Sequence, residues 1–138
     1  MQKSGPNGLT IFEVMVSMVI VGFVLVGMIQ LYSMGAVQSS ITRHKLMAVN
    51  LAQAEIEGLI NKGYKTITQE INQGIYPKTQ IVKIDTGKTG NASDDISGTM
   101  ITSIANVSEG YKITVNVSWN DYYGAMSEVV TSTMTSYI

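Results

Sequence analysis

The chain predicts an α+β protein, with one long N-terminal helix, apolar in its first half and amphipathic in its second, packed against a small antiparallel sheet. Three observations carry this. Val14–Leu31 reads V-M-V-S-M-V-I-V-G-F-V-L-V-G-M-I-Q-L, and no charge stands between Glu13 and Arg43. Val37, Ile41, Ala48, Leu51, Ala52, Ile56 and Leu59 recur at spacings of three, four and seven, the stripe of a half-buried helix. In Tyr111–Trp119, the residues Tyr111, Ile113, Val115, Val117 and Trp119 alternate with Lys112, Thr114, Asn116 and Ser118, the period of a strand with one apolar face.

Helical Val14–Leu31 rises about 1.5 Å per residue, enough to cross roughly the hydrocarbon core of a bilayer. Ahead of it, Met1–Gly8 is short and polar, with Lys3 and the α-amine as its cations. The positive-inside tendency therefore puts this end in the cytoplasm and the rest beyond the membrane. Glu13 stands at the threshold. An ionised carboxyl there costs on the order of a few kcal/mol if inserted without a partner, so it calls for a counter-charge.

With 138 residues, the apolar run leaves room for one small soluble domain. A net charge of -1 argues against a nucleic-acid partner, and the absence of cysteine excludes disulfides, thiol chemistry and cysteine metal sites. The single histidine, His44, rules out a histidine-rich metal site. It sits between Arg43 and Lys45 on the spine helix and reads as part of an exposed polar cluster. Glu55 and Glu57 do not share a helix face. Glu109, Asp121 and Glu128 read as loop or strand-start residues with no partner implied. The expectation is a non-enzyme without cofactor or metal.

Gly8-Leu9-Thr10-Ile11-Phe12-Glu13, followed by an unbroken apolar helix, resembles the prepilin leader of type IV pilins and type II secretion pseudopilins. The resemblance implies the pilin fold. It also implies a leader, residues 1–8, removed by a prepilin peptidase between Gly8 and Leu9, with N-methylation of Leu9. A transmembrane and filament-core helix would follow over residues 9–35, and a periplasmic or surface domain over residues 36–138. Glu13, with Thr10, is then the assembly and register site. The implied partners are other pilin or pseudopilin subunits, the peptidase and an inner-membrane assembly platform. Leu9 departs from the more usual phenylalanine. Gln30 stands where many major pilins have proline, leaving Gly22, Gly27 and Gly35 as weak points in the helix.

Physically, the new amine at Leu9 adds to the positive end of the helix dipole, and a neighbour's Glu13 carboxylate one turn along is a fitting counter-charge. Such a contact is heterologous and builds helical filaments. The plainer reading of Glu13 is a carboxylate reaching back to the lipid headgroups.

Farther on, Asn61-Lys62-Gly63 reads as a helix stop. A helix from Leu9 to Lys62 would span roughly 80 Å. Tyr64–Ile75 reads as short helix or loop, and Lys78–Asp85 as a strand. Thr86–Gly98 is turn chemistry. Its G-K-T fragment lacks the leading glycine of a phosphate loop, and Asp94 and Asp95 lack the ligand spacing of a calcium loop. Thr99–Val107 and Tyr111–Trp119 read as strands, Asn120–Ala125 as a loop and Met126–Tyr137 as the last strand. Asn91, Asn106 and Asn116 each begin an N-x-S sequon.

The segments Y-K-I-T-V-N-V-S-W-N-D, S-E-V-V-T-S-T-M and A-V-N-L-A-Q-A-E-I-E-G-L are similar to those of minor pilins and I-type minor pseudopilins. Three functions follow: a minor pilin that primes assembly or modifies adhesion, a pseudopilin of secretion or DNA uptake, or a single-span anchored periplasmic binding domain.

Overall fold

The computed structural model describes residues 10–85, 95–121 and 124–136. It contains helices α1 (Ile11–Lys62) and α2 (Tyr64–Asn72) and strands β1 (Lys78–Asp85), β2 (Ile96–Val107), β3 (Gly110–Asp121) and β4 (Gly124–Thr135). The chain divides into two compact units, the first ending at Ser40 and the second starting at Ile41, with α1 continuous through the boundary.

In the first unit every described residue is helical after Thr10, and none from Thr10 to Ser40 is buried. The helix is long and apolar enough to span a membrane. Two of its serines, Ser17 and Ser33, spend their hydroxyls inside the helix. Ser17 Oγ donates to the Glu13 carbonyl at 2.7 Å and Ser33 Oγ to the Ile29 carbonyl at 3.0 Å. A hydroxyl satisfied in this way adds little cost in lipid.

The second unit is the α+β body expected from the sequence. Four strands form an antiparallel meander in the order β1-β2-β3-β4, and the later part of α1 packs on it. His44, Ala48, Ala52, Ile56 and Leu59 are the buried residues of α1, spaced by four, four, four and three. They meet Met100, Tyr111, Ile113, Val115, Val117 and Trp119 from the sheet. Ile113, Val115 and Val117 are fully buried, each worth about 1.5–3 kcal/mol over exposure. The opposite face of the sheet carries Thr79, Ile101, Asn116 and Val129 in one cross-strand row and Ile81, Thr99, Ser118 and Ser127 in the next.

Gly63 ends α1 as expected. It takes φ +80°, which favours glycine, and its N–H bonds the Ile60 carbonyl at 3.1 Å. Tyr64–Asn72 is helix rather than loop, held by Ile67 in the core and by stacking of Tyr64 on Tyr111 with centroids 4.8 Å apart. The strand expected over Lys78–Asp85 has those limits.

Three boundaries differ. Ile96, Ser97 and Gly98, expected as turn, open β2, because each finds a partner on β3 or β1 that local composition does not reveal. Asn120, Asp121, Gly124 and Ala125, expected as loop, continue the β3–β4 ladder to the pair Asp121↔Gly124. β4 accordingly runs Gly124–Thr135 and opens two residues before the expected Met126, while Tyr137, its expected end, lies outside the described residues. The register of β1 on β2 shifts between Lys83 and Asp85. Such an irregularity re-aims side chains. Here Ile84 is buried, and Asp85 reaches α1 instead of following Lys83 and Ile81 to the exposed face.

Candidate functional site

Two sites stand out, one in each unit. The first is the start of α1. Thr10 is the N-cap and Glu13 the third helical residue, the Thr-x-x-Glu spacing of a capping box. The Glu13 N–H donates to Thr10 Oγ1 at 3.3 Å, and the Val14 N–H to the Thr10 carbonyl at 3.2 Å. The Glu13 carboxylate is exposed in the first turn, where the helix dipole favours negative charge. The next charged residue along the chain is Arg43, so no local cation is available to it within the apolar run. Thr10 and Glu13 are thus brought together. Gly8 and Leu9, the expected cleavage and methylation positions, lie outside the described residues.

What this end can do follows from its chemistry. A carboxylate without a cation beside it among the described residues, on a helix with no described residue buried up to Ser40, offers one strong, localised interaction on an otherwise apolar rod. A cation brought by another molecule would satisfy it.

The second site corrects the sequence reading of His44. It is not part of an exposed cluster. It is 3% exposed and lies between two carboxylates. Asp121 Oδ2 is 2.8 Å from Nδ1, and Asp85 Oδ2 is 3.2 Å from Nε2. The Arg43 guanidinium also donates to Asp85. Burial pushes the Asp85 carboxyl up, but hydrogen bonds from His44 and Arg43 outweigh this and hold it below its ordinary range. Asp121 and Glu128 likewise have partners that the sequence did not suggest. Asp121 meets His44, and Glu128 lies 3.4 Å from Lys45 Nζ. These partners are tens of residues apart in sequence. The available signal was His44 itself, which falls on the buried stripe between Ile41 and Ala48.

Elsewhere polar groups fasten the body. Glu70 accepts from Lys62 Nζ at 2.7 Å and from the Tyr76 hydroxyl at 2.6 Å. Those two bonds hold the Glu70 carboxyl below its ordinary value, while burial and Glu70 push the Tyr76 phenol up. Glu55 accepts from Gln80 at 3.2 Å and Glu57 is exposed, so the two do not share a face. Asp95 pairs with Lys83 at 2.8 Å, whereas Asp94 and Asn91 lie outside the described residues. Asn106 is exposed, and Asn116 is half-buried in mid-strand. Among the described residues, no group of three or more His, Cys, Asp or Glu side chains is arranged to hold a metal ion.

No protein-family model, no curated protein and no solved structure matches the chain.

Proposed function

We propose that the chain is a non-enzymatic, pilin-like subunit of a helical filament, a minor pilin of a type IV pilus. In this reading the prepilin peptidase cuts between Gly8 and Leu9 and the new N-terminus is methylated. An inner-membrane assembly platform then passes the subunit into the filament, its tip or its shaft. There the apolar part of α1 packs among the helices of other subunits, and the Glu13 carboxylate pairs with a neighbour's N-terminal amine. Before assembly the protein sits in the inner membrane with its N-terminus in the cytoplasm.

One observation carries the reading. A capped first turn presents an exposed carboxylate at the start of an uncharged helix that runs unbroken into the spine of a sheet-covered body. A simple membrane anchor needs the apolar length but has no use for an acid at its mouth, which costs free energy there. A filament uses that acid twice, to neutralise a buried amine and to fix the axial register between copies.

Mass spectrometry of the protein from cells that possess the prepilin peptidase tests the reading. The expected N-terminus is a methylated Leu9, and Gly8→Val blocks its formation. A protein that keeps Met1 in those cells, and never co-purifies with filaments, is a tethered domain and not a pilin.

A further inference from the structure

Two acids and one imidazole converge at one end of the sheet. His44 lies on α1, Asp85 is the last residue of β1 and Asp121 the last of β3. The side chains of His44, Asp121 and Asp85 are 4%, 8% and 20% exposed. A neutral imidazole has one N–H and one lone pair, so it donates to one carboxylate and turns a lone pair on the other. Only the imidazolium donates to both. Asp85 is also paired with Arg43 of α1. The other charged groups nearby on these elements are engaged elsewhere, Lys45 of α1 with Glu128 of β4 and Lys83 of β1 with Asp95.

We infer that His44 is a proton-dependent clasp: protonated on both nitrogens, it ties α1 to the ends of β1 and β3, and loss of one proton unties β1. The ring keeps its shorter bond, to Asp121, and gives up the longer one, to Asp85. The end of β1 is then held to α1 by Arg43, whose side chain is 58% exposed and whose ion pair is correspondingly weak. The tie is complete where the ring is charged and both carboxyls are ionised, and is weakened once the ring loses a proton. This device does not depend on filament assembly.

His44 is the chain's single histidine, so 15N-histidine labelling of the full chain in detergent micelles gives one imidazole to follow. The pH is raised until the ring loses one proton, and amide exchange is followed in parallel, corrected for its intrinsic rate. The expected result is that protection of the Lys83–Asp85 and Ile96–Ser97 amides falls at least tenfold through that step, while protection of Ile113 does not change. His44→Gln removes this pH dependence. Protection at the β1 end that stays constant while the ring loses its proton overturns the clasp, as does the same pH dependence in His44→Gln.

Discussion

Gly98 of β2 stands directly opposite Trp119 of β3, and a Cβ on this glycine would lie 2.8 Å from the Ser118 carbonyl oxygen and 3.1 Å from Ile84 Cγ1. The first of these neighbours is backbone in an interior strand and has nowhere to go. The second is a buried side chain beside the β1 irregularity, so it is confined as well. Ile84 therefore packs here because position 98 has no side chain.

Gly98→Ala should accordingly destabilise the body by about 1–3 kcal/mol, the range for forcing an extra carbon into a packed site. Thermal unfolding of the full chain in detergent checks this. A wild-type midpoint would mean that the site has slack that these distances do not allow.

Thr102 makes the opposite case. It is fully buried on the face of β2 that meets α1, and its hydroxyl has no hydrogen-bond partner among the described residues. A buried, unpaired hydroxyl costs about 1–3 kcal/mol, and valine keeps the β-branched shape without it. Thr102→Val should raise the unfolding midpoint, whereas Thr102→Ala, which opens a cavity, should lower it.

The parts of the fold that were legible in the sequence are those where one residue's environment repeats along an element. β3 showed its alternation because it is interior and its Tyr111–Trp119 side meets the helix throughout. α1 showed its stripe for the same reason. Where two distant segments meet, local pattern failed. Ile96–Gly98 looked like turn because its strand partners are far along the chain, and Asp121 looked like a turn residue although its carboxylate is taken by His44, 77 residues earlier. His44 was misread because its neighbours Arg43 and Lys45 are charged, and adjacent residues on a helix face different ways. At the start of α1, Glu13 drew attention as the lone acid at the edge of the apolar run, and Thr10 through a family resemblance. Their backbone hydrogen bond gives them a local role as well.

Acid should loosen the body through two carboxylates. Asp85 and Glu70 both titrate below their ordinary values of 3.8 and 4.5. A carboxyl with a lowered folded-state value binds its proton more readily when unfolded. Its contribution is thus full above the ordinary value and is lost as the pH falls through the folded one. Asp85→Asn and Glu70→Gln should each lower stability near neutral pH and flatten its fall in acid. Chemical denaturation at a series of pH values measures both effects. An unaltered acid slope in either variant would remove that residue from the account.

Thr10 and Glu13 separate a cap from a charge. In a capping box, glutamine serves as well as glutamate at the third helical position, and loss of the N-cap threonine costs about 0.5–2 kcal/mol of helix stability. If the Glu13 carboxylate is the assembly contact, Glu13→Gln leaves the protein made, cut and inserted but keeps it out of filaments. Thr10→Ala retains the charge and should frustrate assembly far less, by fraying only the first turn. Glu13→Ala should behave like Glu13→Gln, since both remove the charge. Immunoblotting of sheared filaments against the membrane fraction measures all three. Normal incorporation of Glu13→Gln would assign Glu13 to the cap alone, because the amide keeps the side chain's length and its acceptor and changes only its charge.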